Sequence, residues 1–213
     1  QLLQHQGVDY LAVAFADEGV LLRERGITMP VVVLNADADS FDLMIANRLE
    51  PEIYSFRSLD DFASAVSHAG EFRYPIHLKL DTGMHRLGFM EEEIDRLCEV
   101  LPLRPEVKVA TVFSHLNCAD MPEEDAYTRA QIARYDRMST RLVEALPYPV
   151  IRHTANSAAI ERFPEAQYDM CRLGLGLYGF GWQHNPSLRP VSTLRTRIVA
   201  IKHLAAGETV VYG

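Results

Sequence analysis

The stretch Ile76-His77-Leu78-Lys79-Leu80-Asp81-Thr82-Gly83-Met84-His85-Arg86-Leu87-Gly88-Phe89 runs an apolar strand into a tight, charged loop punctuated by glycine. A lysine inside a strand that otherwise reads as buried must snorkel, pair or lose its charge, and Asp81 and Arg86 supply both signs for a local network. From the pattern alone, a lysine escaping at a barrel end and a lysine engaged in chemistry are equally good readings. In both, a strand ends here and charge collects just beyond it.

The same rhythm extends in both directions. Residues 10–15, 31–34, 52–55, 76–80, 107–113, 150–153 and 170–173 read as strands, with amphipathic segments between most of them. Gly26 stops a helix over 17–25, Ser58 caps one running to about 69, and Asp125 opens a long one reaching about 146. Repeated strand, helix, strand implies parallel strands joined by crossovers, in a doubly wound sheet or a barrel. The loaded residues fall just after the strands, in 81–86, 114–120, 153–157 and 172–178, and a barrel gathers such ends onto one face. The expected fold is therefore an α/β (β/α)8 TIM-type barrel over residues 1–190. Its strand count falls short, so it is expected to lack its first strand and to expose edges near Tyr10 and Met170. After Pro190 the pattern changes to a β-like run over 193–204, a turn at Ala205-Ala206-Gly207-Glu208 and a further run over 209–212. Residues 191–213 are read as the start of a C-terminal all-β domain.

With 213 residues, 48% of them hydrophobic and 23% charged, the chain can bury one good core. The formal charge of -8 is spread along the sequence, which argues against nucleic acid or an anionic membrane as a partner. Cys98, Cys118 and Cys171 are odd in number and widely spaced, as expected of reduced thiols in a cytoplasmic protein with neither disulfide frame nor metal site. No apolar run approaches the roughly 18 residues that span a bilayer, and no leader opens the chain. Because it begins at Gln1, it is expected to be a piece of a longer polypeptide.

Three constellations carry candidate chemistry. His115 sits where a strand meets a loop, able to reach a ligand or to bond the barrel rim. His153 has the same two roles open to it, but small residues follow, and Ser157 stands at a helix start suited to phosphate. Arg172 lies in the apolar run Asp169-Met170-Cys171-Arg172-Leu173-Gly174-Leu175-Gly176-Leu177-Tyr178-Gly179, where it needs a partner, beside glycines that expose backbone N–H groups. Together these fit the phosphate site that barrels often build after their last strands.

The 76–89 segment resembles the alanine racemase signature. The resemblance continues through Gly7-Val8-Asp9-Tyr10-Leu11-Ala12-Val13-Ala14, Asp17-Glu18, Leu22-Arg23-Glu24-Arg25-Gly26-Ile27, Gly207-Glu208 and Val211-Tyr212-Gly213. It implies pyridoxal 5'-phosphate as cofactor, with Ser157 and the amides of Gly174 and Leu175 holding its phosphate and Arg172 facing the pyridine nitrogen. His115 and His153 lie behind the ring, His153 and Asn156 help to fix Arg172 and the phosphate loop, and Arg86 contacts the phenolic oxygen and the substrate carboxylate. An arginine there leaves the ring nitrogen unprotonated and weakens the ring as an electron sink, favouring proton return over transamination. Lys79 matches a position commonly carbamylated, whose anion would orient Arg86.

Two features of the family are missing from residues 1–213. The cofactor-anchoring lysine belongs to a Lys-Ala-Asn-Ala-Tyr-Gly-like segment that this sequence lacks, and Lys79, Lys108 and Lys202 stand in other contexts. The second base, a tyrosine from the partner subunit's β domain, is also expected outside the chain. The resemblance thus implies the barrel part of a homodimeric, cytoplasmic isomerase interconverting L- and D-alanine and supplying D-alanine for bacterial peptidoglycan. The chain alone is expected to be inactive. Alternatives are a racemase of serine or another small amino acid, a non-catalytic pyridoxal phosphate carrier, and a barrel with no cofactor; entry into a β domain after Pro190 argues against the carrier.

Overall fold

The computed structural model describes residues 1–210. Six parallel strands, β1 (Leu11–Val13), β2 (Val31–Val33), β3 (Glu50–Ile53), β4 (Tyr74–Lys79), β5 (Val107–Phe113) and β6 (Ile151–His153), pair in sequence order. The helices are α1 (Leu2–His5), α2 (Ala16–Glu24), α3 (Phe41–Ala46), α4 (Phe56–His68), α5 (Ile94–Val100), α6 (Asp125–Ala145) and α7 (Ser157–Arg162). The result is an open half-barrel, an incomplete TIM-type (β/α) array. Among the described residues β1 and β6 each pair with one strand only.

The core lies between the outer sheet face and the helices. Val31, Val33, Ile53, Ile76, Leu78 and Val112 meet Leu59, Phe62 and Val66 of α4 and Tyr135, Met138 and Leu142 of α6, all buried. The spacing of Leu59, Phe62, Ala63 and Val66 is that of one helical face, which is why α4 forms and docks. The inner face differs: Glu50, Glu52, His77, Lys79 and Thr111 alternate with those apolar residues along their strands and bond one another. A register shift pairs Ile76 with Val109 and the next residue, His77, with Thr111, so one extra residue in β5 sets Thr111 and Phe113 beside His77 and Lys79.

Several expectations are corrected. Ser55, not Ser58, caps α4: Ser55 Oγ accepts from the Ser58 amide at 3.1 Å, and Ser58 Oγ accepts from the Ser55 amide at 3.1 Å. Residues 170–173 form no strand. They run beside β6, tied by Asp169 N–H to Arg152 O at 3.0 Å and Arg172 N–H to Ala155 O at 2.9 Å, because the Arg172 side chain turns inward while Leu173 stays exposed. The second open edge is therefore β6 itself. Residues 193–204 likewise contain no regular element, and Leu194 and Val199 are almost wholly exposed. The end of the 209–212 run and the Val211-Tyr212-Gly213 match lie outside the described residues.

Candidate active site

The decisive loop is built by its backbone. Asp81 N–H donates to Phe89 O and Phe89 N–H to Lys79 O, each at 2.9 Å, closing residues 81–88 onto the end of β4. Gly88 sits at φ 130°, and a Cβ there would lie 2.6 Å from the Asp81 nitrogen, so only glycine permits this approach. Asp81 Oδ1 accepts from the amides of Gly83 and His85 at 3.0 Å, and Oδ2 lies 3.2 Å from His85 Nδ1. Helix α6 pins the other side, with Tyr127 Oη donating to Gly83 O at 2.6 Å and Arg134 Nη1 to Thr82 O at 3.0 Å. The charge of Asp81 is thus spent on the loop and not on Arg86. Arg86 is exposed, and no ion pair among the described residues includes it.

Lys79 does not snorkel. Its Nζ lies 3.3 Å from Glu52 Oε1 and 4.8 Å from the centre of the Phe113 ring, with both charged side chains buried. Burial drives the ammonium pKa down, and Glu52 opposes that; the Glu52 carboxyl is raised by burial and lowered by Lys79, Arg86 and Arg172.

Arg172 forms the floor. Its Nη1 donates to His153 Nδ1 at 2.7 Å, and its Nη2 donates to Ser114 O at 2.6 Å and Thr154 O at 3.1 Å, with His115 Nδ1 at 3.3 Å. Burial lowers the guanidinium only to about 10, so it stays a cation at neutral pH. Burial first, and then the Arg172 charge, pushes His115 down to about 4 and His153 well below its ordinary range. Both imidazoles are neutral acceptors for Arg172. Behind them runs a chain of defined polarity. His153 Nε2–H donates to Thr111 Oγ1 (3.0 Å), the Thr111 hydroxyl to His77 Nδ1 (2.8 Å), and His77 Nε2–H to Glu50 Oε2 (2.8 Å). The Arg172 bond to Nδ1 fixes the His153 tautomer with its proton on Nε2, and Thr111 joins the two histidines. Phe113 stacks on His153 at 5.0 Å and locks its plane.

The phosphate-type elements stand at the rim. Ser157 Oγ accepts from the amides of Gly174 at 3.0 Å and Gly176 at 3.2 Å, which leaves its own proton free to donate. Leu175 lies between those two glycines. Asn156 caps α7 by accepting from Ala159 N–H at 3.0 Å and donates to Leu116 O at 3.3 Å, so it shapes the wall and does not bond Arg172.

A cavity of about 680 Å³ at the C-terminal strand ends is lined by Glu52, Lys79, Arg86, His115, Ser157 and Arg172, with Asn156, Gly174 and Leu175 on the same wall. All the residues picked from the sequence therefore meet here except His153, which lines an adjoining cavity of about 620 Å³ on the other side of Arg172. Glu50, Glu52, His77 and Thr111 were not picked. Their signal is polar residues alternating on strands that a parallel sheet should bury on both faces. With the Gly174 and Gly176 amides given to Ser157 Oγ, the donors facing a ligand are the Ser157 hydroxyl and a guanidinium held by neutral imidazoles, a set that suits an anionic heteroaromatic ligand such as pyridoxal 5'-phosphate.

The fold and this cavity define an incomplete parallel α/β barrel with a polar cavity at the carboxyl ends of its strands. The model of the family described as alanine racemase, N-terminal domain, matches residues 1–181, and the chain belongs to the alanine racemase family. An alanine racemase of Sorangium cellulosum is 35% identical over 99% of the chain and 57% of its own length. One from Geobacillus stearothermophilus is 37% identical over 97% of the chain and 54% of its own length. The chain spans about half the length of the curated relatives it matches. Among solved structures, the alanine racemase of Clostridium difficile 630 in complex with cycloserine superposes with a TM-score of 0.81 at 33% identity, over 89% of this chain and 53% of that one.

Proposed function

We propose that this chain is the cofactor-cradling barrel of a pyridoxal phosphate-dependent alanine racemase that interconverts L- and D-alanine and supplies D-alanine for peptidoglycan. The observation that carries the proposal is Arg172, a cation held by two neutral imidazoles and three carbonyls on the floor of a cavity rimmed by Ser157 and Gly174. When bound, the cofactor would supply an electron sink for the pair left at the substrate Cα when its proton is removed. Arg172 would donate to its ring nitrogen without giving up a proton, which would limit the sink and favour return of the proton. Ser157, Gly174 and Leu175 would hold the phosphate, the Gly174 amide turning from Ser157 Oγ to do so, and Arg86 on the rim would take the substrate carboxylate. The cofactor-anchoring lysine and the partner's tyrosine come from outside residues 1–213, in a homodimer of the cytoplasm. The small-molecule partner is alanine.

The test is D-alanine formation from L-alanine by the intact polypeptide with pyridoxal phosphate, beside an Arg172→Ala variant. Turnover should fall by about two orders of magnitude or more in the variant, as expected when a preorganised electrostatic group is removed. Absence of alanine racemisation by the wild type would defeat the proposal.

A further inference from the structure

A guanidinium is planar, so its aim is set by what holds its two Nη groups. Arg172 Nη2 is held by the backbone carbonyls of Ser114 and Thr154, whereas Nη1 depends on His153, through Nδ1 at 2.7 Å and more weakly through the carbonyl at 3.4 Å. The ring of His153 stacks on Phe113 with only 2° between the planes. Stacking alone does not orient it, because a half-turn about the Cβ–Cγ bond keeps the plane and turns carbon toward Arg172. The bond from Nε2 to Thr111 Oγ1 opposes that half-turn. Beyond Thr111 stand His77 and then Glu50, so that β3, β4, β5 and β6 each supply one link. Glu50 and Thr111 line neither cavity and therefore act, if at all, through their neighbours.

We propose that Glu50, His77 and Thr111 are positioning residues for Arg172: they hold the His153 imidazole in the one orientation that pins Nη1, and so aim the guanidinium at a ring nitrogen bound in the cavity. A neutral imidazole has one N–H and one lone pair. Glu50 Oε2, 2.8 Å from His77 Nε2, draws the His77 proton to that nitrogen. His77 Nδ1 then presents a lone pair to Thr111, and the Thr111 oxygen receives His153 as its one imidazole donor. With no acceptor at residue 50 the His77 proton is free to move to Nδ1, where it competes with His153 for the same oxygen. The hold on His153 stands on geometry alone, whereas the aim of Arg172 at a ring nitrogen rests on the racemase proposal.

The experiment uses the intact polypeptide labelled with 15N-histidine, read by NMR without added cofactor, the two signals assigned with His77→Gln and His153→Gln. In wild type both imidazoles should carry their proton on Nε2. A proton on Nδ1 of either overturns the proposal and needs no variant to observe. In Glu50→Leu the His77 proton should appear on Nδ1 and the His153 signals should move; unmoved His153 signals overturn the hold. For the aim of Arg172, Thr111→Val and Glu50→Leu should each lower kcat for alanine about tenfold with KM within about twofold, because the substrate is held at the rim and only the floor is displaced. Thr111→Ser should restore most of the loss. An unchanged kcat, or a loss carried by KM, overturns that half. Failure of wild type to racemise alanine defeats the racemase proposal and the aim of Arg172 together, while the NMR result still decides the hold on His153.

Discussion

Thr111 is the residue on which the inner polar chain turns, because its single hydroxyl both accepts from His153 and donates to His77. Thr111→Val keeps the shape and removes both bonds, stranding two buried imidazole nitrogens at a cost of about 1–3 kcal/mol each. Denaturant unfolding should show that loss, and Thr111→Ser should recover most of it; equal stability of Val and Thr would mean the chain does not hold. The two neutral imidazoles also set a pH dependence. Folding lowers His115 from 6.5 to about 4, and His153 falls as well, both chiefly through burial and then the Arg172 charge. Below 6.5 the unfolded chain binds protons that these groups refuse in the fold, so their contribution is present above that pH and is lost as pH falls toward about 4. The melting temperature should drop across that window and the drop should shrink in His115→Gln.

At the scale of elements, the loop after β4 depends on Gly88. Gly88→Ala combines a disfavoured φ with backbone contact at Asp81, so it should destabilise the protein by about 1–3 kcal/mol and displace Arg86. A crystal structure of the variant with the Leu80 and Phe89 bridge intact would contradict this. The strand over 107–113 was legible with its observed bounds, since its apolar β-branched residues and flanks agree. Residues 170–173 were not, because an apolar run with one arginine reads the same whether that arginine pairs in a sheet or dives beneath it. Ser55 and Ser58 differ as caps only through which amide each serine reaches, a choice made by the entry angle of the chain.

Across the whole molecule, the parallel array was legible because alternation of strand and helix is a local pattern. The residues of the cavity rim were legible through their motifs, whereas Glu52 and the Glu50–His77–Thr111 chain depend on register between strands, including the one-residue shift in β5. Neither composition nor spacing carries that information. The proposed role of the rim and the floor is to hold a phosphate-bearing aromatic ring, and the most direct measurement is the binding of pyridoxal phosphate against pyridoxal, its dephosphorylated form, to the intact polypeptide, followed by absorbance. Pyridoxal phosphate should bind at least about tenfold more tightly, with the advantage lost in Ser157→Ala, as expected for charge-assisted hydrogen bonds. Equal affinity for the two compounds, or an undiminished preference in Ser157→Ala, would contradict the assignment of the cavity.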